Sequence, residues 1–519
     1  MTTPRFLLAS LALALTAATA TAQYDFDLEK RTPATLGAAL DLDLVGAPPL
    51  ALALVVPSTN SGPTPLTLID PADLRSLAVG TDLLSAMAVV TTDAAGDASY
   101  SLTLPNTPSA AGFELHWQSL TLGGGSTFFG ELSNPVVTLA GVAGTGVLAP
   151  ATLAAARTLS ALAVDGDNNV SGMDLLVTGG GDGSLTAATG LASTELYRFR
   201  TMDFVAGPTM STPRALHTAI RLNDGRVLLI GGADQNGAVL ASCEIYDPAN
   251  NSITPTGSLN TPRILFGASL LHDGRVMVAG GTSTLQPDVT AAISAALRSV
   301  EIFDPATGTW SPAPQLGGYR LAPALTLLPN NQVMVSGGID VTFFFGLPIV
   351  VNSTTAVQRW NPNSNSWVNG PNMSQARAGH QYNQVTLNDG RVLMSGGINV
   401  PSLLGANNSV PISGAELYDP ASNSWQTANM PVARAMHSAT VLPDGRVAVC
   451  GGTQGVLTAP VTIADVHLFD PSANTWSTAA PLSAPRAGHV AALLPDGLLV
   501  LVGGQGATNT LDSVETLRF

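Results

Sequence analysis

Lysine is nearly missing from this chain. It occurs once, at Lys30, and Lys and Arg together number 21 against 36 Asp and Glu, which leaves a net charge of −15. Neither a phosphate backbone nor an acidic lipid surface attracts such a chain, so nucleic acid and anionic membrane are excluded as partners. Cysteine is scarce too. Cys243 and Cys450 lie in widely separated parts of the sequence, which excludes a disulfide framework and leaves two thiols to serve as buried hydrophobes. Beyond the N-terminus no stretch reaches the ~20 uninterrupted apolar residues of a membrane helix, so no membrane span is expected. Charged residues make only 11% of the chain and aromatics 5%, and helical periodicity is scarce.

What is present in abundance is glycine and proline, 52 and 36 residues, among 45% hydrophobics. That composition suits an all-β chain with many tight turns and a large core. A repeated phrase gives it order. Gly-Gly pairs begin at Gly179, Gly231, Gly280, Gly337, Gly396, Gly451 and Gly503, at steps of 52, 49, 57, 59, 55 and 52 residues. The copy from Arg263 is the clearest: an Arg, an apolar stretch, the turn Asp273-Gly274, the run Val276-Met-Val-Ala ending in Gly280-Gly281, then Val300-Glu-Ile-Phe-Asp-Pro305 and Trp310. Gly at the second turn position tolerates the positive φ that a two-residue hairpin demands. Matching turns stand at Asp224, Asp389, Asp444 and Asp496, with Asn330-Asn331 in the fourth copy. Trp310, Trp367, Trp425 and Trp476 are the bulky residues expected to fill the wedge between successive units.

This wording resembles the kelch family over roughly 365 residues. The resemblance implies a seven-bladed β-propeller over 135–519. The last repeat stops at Ser513–Phe519, its third strand, so its fourth must come from elsewhere, and Pro135-Val-Val-Thr-Leu139 within 135–150 is the expected donor. Residues 23–134 lack the repeat. Alternating segments such as Ala98–Leu104 and Phe113–Trp117 indicate a small N-terminal β-sandwich, with Trp117, Phe128 and Phe129 as the aromatics available to a sugar. Ahead of it, Arg5, the apolar stretch Phe6–Ala14 and Ala20-Thr-Ala22 read as a signal peptide over 1–22, hence an exported protein of the periplasm, cell surface or exterior.

The candidate ligand-binding residues are seven repeated arginines, Arg157, Arg214, Arg263, Arg320, Arg377, Arg434 and Arg486. At the head of each innermost strand they are expected near one mouth of the channel, as a positive funnel in an acidic protein. Kelch domains of ubiquitin-ligase adaptors grip acidic peptides with arginines at similar positions. The competing expectation is that Glu195, Glu244, Glu301, Glu416 and Glu515, recurring with the same period, pair with them. Phe343, Phe344 and Phe345 lie in an apolar run, Asp340–Val351, too long for a solvated loop, and are a second candidate anchor for a partner.

Two further readings concern chemistry. Asp165, Asp167, Asn169 and Asp174 resemble the calcium loops of integrin-type propellers, with hard oxygen ligands at alternating positions; no other cofactor is expected. Resemblance to galactose-oxidase-like propellers raises copper oxidation, but His217, His380, His437 and His489 occupy equivalent places in four repeats and so read as packing. An epimerase of sialic acid built on kelch blades remains the enzyme alternative, and a structural envelope protein a third. The expected function is a monomeric, non-catalytic binding or scaffold module for a protein, peptide or glycan.

Overall fold

The computed structural model describes residues 25–519 other than 69, 74, 124–127, 166–173, 182–188, 285–288, 346, 382, 403–408 and 457. Within them the repeats form four-stranded antiparallel sheets, seven in all. The sheet of Arg263 runs Gly267–Leu270, Val276–Ala279, Val300–Asp304, Thr309–Ala313 in chain order. Second strands such as Val227–Ile230, Val276–Ala279 and Leu499–Val502 are buried at every position. Each is covered on both faces by neighbouring blades, which is why these strands read as unbroken apolar runs rather than alternating ones.

The sheets close into a propeller. First strands lie side by side in the order Ala161–Asp165, Thr218–Arg221, Gly267–Leu270, Ala324–Leu327, Gln384–Thr386, Ser438–Val441 and Val490–Leu493, and the last returns to the first. The Gly-Gly pairs stitch the same circle. The second glycine of each blade donates its N–H to the carbonyl of the next blade's arginine, from Gly180 to Arg214 at 2.9 Å through to Gly504, which bonds Arg157 at 2.8 Å. Glycine is required here by contact as well as by torsion: a Cβ on Gly337, at φ +55°, would stand 2.4 Å from the Arg377 carbonyl oxygen. The tryptophans fasten the rim. Trp310 donates its indole N–H to the Gly257 carbonyl of the preceding blade at 3.0 Å, and Trp367, Trp425 and Trp476 reach Pro314, Pro371 and Ala428 in the same way.

The donor of the closing strand differs from expectation. Gly146–Thr152, not Pro135–Leu139, pairs antiparallel with Ser513–Leu517. Val136–Leu139 instead pairs with Glu114–Trp117 and is buried throughout, so it belongs with the N-terminal sheets, and the boundary drawn at 135 moves beyond it. The apolar run is the better strand by composition, but it takes a fully buried edge position beside Glu114–Leu122, with Val136 in the N-terminal core. The outer edge of a blade accepts the half-exposed Gly146–Thr152.

Residues 25–142 build two main sheets. One orders Asp27–Lys30, Ala39–Val45 and Ala98–Thr103; the other orders Val136–Leu139, Glu114–Leu122, Leu52–Ser58 and Ala88–Thr91, with Phe129–Leu132 on Glu114–Leu122. Leu28, Leu40, Leu42, Leu44, Val55, Trp117 and Val136 share the core between them. Trp117 and Phe129 are therefore buried, and of the three aromatics considered for a sugar only Phe128 is exposed. The lone lysine joins this unit to the propeller. Lys30 Nζ donates to the carbonyls of Val137 and Phe199 and lies 4.0 Å from the Phe199 ring centroid, with an Arg200–Asp27 ion pair at 2.9 Å alongside. Burial pulls the Lys30 ammonium down to about 8, against the opposing pull of Asp496. The segment 1–22, read as a signal peptide, lies outside the described residues.

Candidate interaction site

The seven arginines do not form an open funnel. Six have no exposed surface and Arg320 has 4%. Each sends Nη1 to the carbonyl of the first glycine of its own blade, as Arg263 does to Gly280 at 3.0 Å. Five also hold a strand-three glutamate: Glu195 at 2.5 Å from Arg157, Glu244 at 2.6 Å from Arg214, Glu416 at 2.9 Å from Arg377, Glu515 at 3.3 Å from Arg486, and Glu301 against Arg263. A buried guanidinium needs such a counter-charge, because an unpaired ion in the interior is expensive to desolvate. The pairing reading of the repeated Glu is the one the geometry supports, and these side chains are not available to a ligand.

Each glutamate has a second task. It accepts the backbone N–H of the residue three before the arginine, as Glu244 does from Ser211 at 2.8 Å, Glu416 from Ser374 at 2.6 Å and Glu515 from Ser483 at 2.6 Å. Two blades depart from the rule. In blade six His467 replaces Glu, its Nδ1 lying 2.7 Å from Arg434 Nη2, and the residue three before Arg434 is Pro431, which has no N–H to hold. In blade four Gln358 replaces Glu. It keeps the backbone task, accepting from Gly317 at 3.1 Å, but cannot neutralise Arg320. Burial lowers Arg320, and the only opposing charge is Asp340, paired with it across the adjacent strands.

The repeated histidines form a second inter-blade device. His217 Nε2 meets Thr178 Oγ1 at 2.7 Å, His380 meets Ser336 at 2.9 Å, and His437 meets Ser395 at 2.8 Å, each partner ending the second strand of the preceding blade. His489 meets Ser438 because Cys450 occupies the usual partner position. Where the neighbour is apolar the histidine is absent, as with Phe266 after Ile230. Burial holds His217 and His489 down at about 3, and His380 and His437 well below their ordinary value. Cys243 and Cys450 are buried thiols pushed up to about 11 and about 12.

Among the described residues no three His, Cys, Asp or Glu side chains group closely enough to hold a metal. Of the calcium candidates, Asp167 and Asn169 lie outside the described residues, as does the side chain of Asp165. Asp174 stands opposite Asp165 on the neighbouring strand, and its carboxylate accepts the Phe199 N–H at 3.2 Å.

One predicted feature is open to solvent. Ile339–Phe344 and Leu347–Ser353 form a two-stranded ribbon that leaves blade four beside Tyr319–Leu321. Val341 and Val351 anchor its base in a cluster with Ile293 and Leu321. Toward the tip, Phe344, Phe345, Leu347, Ile349 and Val350 are 60, 92, 69, 58 and 47% exposed. Phe344 and Phe345 stack edge to face at 4.5 Å, while Phe343 turns inward onto Tyr319 at 4.8 Å. Of the three predicted phenylalanines, two thus face solvent and one braces the ribbon.

The family model for the Kelch motif matches residues 266–317, which span the blade of Arg263 and Glu301. The chain carries a Kelch motif there. Kelch-like protein 34 of Homo sapiens is 28% identical over 40% of this chain and 31% of its own length, and Kelch-like protein 35 of Mus musculus is 28% identical over 41% and 32%. Spermatocyte protein spe-26 of Caenorhabditis elegans is 26% identical over 40% and 34%. The chain spans about a third of the length of these relatives. Among solved structures, a fungal alcohol oxidase in complex with copper matches with a TM-score of 0.54 at 19% identity, over 72% of this chain and 76% of that one. That likeness shows a shared fold alone. The four repeated histidines do not make a copper site, since each is spent on a hydroxyl of the preceding blade.

Proposed function

We propose that the protein is an exported interaction scaffold, a rigid kelch propeller that presents the blade-four ribbon to a protein partner. The observation that carries this is the exposure of five apolar side chains near the ribbon's tip, Phe344, Phe345, Leu347, Ile349 and Val350. Soluble proteins seldom leave such patches open unless something binds them, and aromatic anchors dominate binding energy where they become buried. The rigid blades fix the ribbon's base, so a partner meets a preformed surface and little ordering entropy is lost.

A random peptide display library screened against the full chain tests this. Selected peptides should bind the native protein and lose at least about tenfold in affinity for a Phe344→Ser, Phe345→Ser double variant. The thermal midpoint of that variant should stay put, because both side chains are solvent-exposed. Selection of no peptide, or of peptides indifferent to the double variant, overturns the reading.

A further inference from the structure

The ribbon is flanked by a cation that forms no ion pair among the described residues. Eight arginines at the surface hold an aspartate: Arg226 with Asp224, Arg275 with Asp273, Arg391 with Asp389, Arg446 with Asp444, and likewise Arg31, Arg75, Arg198 and Arg200. Arg298 is exposed and forms no ion pair among the described residues; its guanidinium carbon lies 5.4 Å from the Tyr319 ring centroid. Tyr319 packs on Phe343, which ties the guanidinium and the tyrosine to the ribbon. Next to Tyr319 in the same strand, Arg320 is a buried guanidinium without a glutamate, its burial opposed by Asp340. In a chain of net charge −15 this is a local positive spot bordered by bare apolar side chains.

We propose that Arg298 and the ribbon together dock an extended protein segment in which a carboxylate is flanked by apolar side chains. The inference rests on the interaction reading above and adds the chemistry of the partner. A guanidinium stacked on an aromatic face is oriented for a bidentate carboxylate, and neighbouring apolar contacts exclude water that would weaken the pair. A lipid surface fits less well. One arginine adds only ~1 kcal/mol of attraction to an anionic bilayer, and the acidic remainder of the chain is repelled.

The test extends the peptide screen with the full-length protein. Selected peptides should carry Asp, Glu or a free C-terminal carboxylate beside apolar residues. Their affinity should fall about tenfold for Arg298→Gln, much less for Arg298→Lys, and should rise for Asp340→Asn. Replacing the peptide's carboxylate by its amide should lose the same factor against the native protein and nothing further against Arg298→Gln, the signature of a direct pair. Uncharged apolar peptides that need Phe344 and Phe345 but ignore Arg298 would sink this inference and leave the interaction reading standing. Binding to phosphatidylcholine vesicles, or concentration-dependent dimerisation through Phe345, in place of peptide binding would overturn it in favour of a membrane or a second copy.

Discussion

Blade three and blade six fill the same place in the ring with different chemistry. Blade three pairs Arg263 with Glu301, which also holds the Asn260 N–H at 2.7 Å, and sets Phe266 against the apolar end of its neighbour. Blade six answers Arg434 with His467, places Pro431 where the held amide would be, and sets His437 against Ser395. Arg434 is drawn down to about 10 by burial, while the carboxylate opposes that pull on Arg263. The difference teaches that the repeat is a set of linked choices. Five blades keep a glutamate that serves both a guanidinium and an amide, blade six loses the glutamate together with the amide, and a histidine is kept only where the preceding blade supplies a polar partner.

Acid should break the comparison most strongly. His217, His380, His437 and His489 are held neutral by burial, so their folded values lie below the unfolded one near 6.5. The unfolded chain therefore binds protons first as pH falls. Stability that is complete above about 6.5 is lost below it, at roughly 1.4 kcal/mol per pH unit for each histidine until the folded value is reached. The urea midpoint should drop steeply between pH 7 and 5. Converting blade six to the apolar pairing, His437→Phe with Ser395→Ile, should flatten that slope by about a fifth, since burial lowers His467 as well and one of five such groups is removed. An unchanged slope would mean that His437 is not held neutral in the fold.

The next effect in size is the loss of one carboxylate. Glu301→Gln leaves an acceptor for the Asn260 amide, as Gln358 does for Gly317, but strands Arg263 without a counter-charge. Removing one member of a buried pair destabilises by about 3 kcal/mol or more, which denaturant unfolding would register as a lower midpoint at constant slope. A loss under about 1 kcal/mol would imply that the carbonyls of Gly280 and Ser299, which also bind Arg263, compensate the charge by themselves.

Much of this architecture was legible before any coordinates. The Gly-Gly pairs, the Asp-Gly turns and the fourth-strand tryptophans announce a kelch propeller because each answers a local demand of torsion or packing. The shared period of arginine and glutamate carried the pairing reading, and the same period makes His467 and Pro431 readable as a joint departure. What could not be read was relative position. Val136–Leu139 and Gly146–Thr152 both have strand character, and only the burial of each face decides which joins the N-terminal sheet and which closes the ring. Arg298 likewise carries no signal of its own in the sequence. Its interest arises because the loop before the third strand brings it over Tyr319, while eight other arginines at the surface are neutralised by aspartates.

The smallest and sharpest effect comes from blade four, where the glutamate's two tasks have been separated. Gln358→Glu restores the carboxylate to Arg320 and keeps the acceptor for Gly317, so the blade acquires the arrangement of its siblings. The gain should be about 1 kcal/mol, less than the loss in Glu301→Gln, because Asp340 already supplies part of the counter-charge and a new buried carboxylate must itself be desolvated. Combining the change with Asp340→Asn sharpens the point. If Asp340 is the present counter-ion, the benefit of Gln358→Glu should grow when it is removed, and the two substitutions should be non-additive by about 0.5 kcal/mol or more in a thermodynamic cycle. Strict additivity would place Arg320 outside the reach of Asp340 and would make its solvation by the Gly337 and Ala356 carbonyls, at 2.8 and 3.0 Å, sufficient to hold a buried cation without any carboxylate.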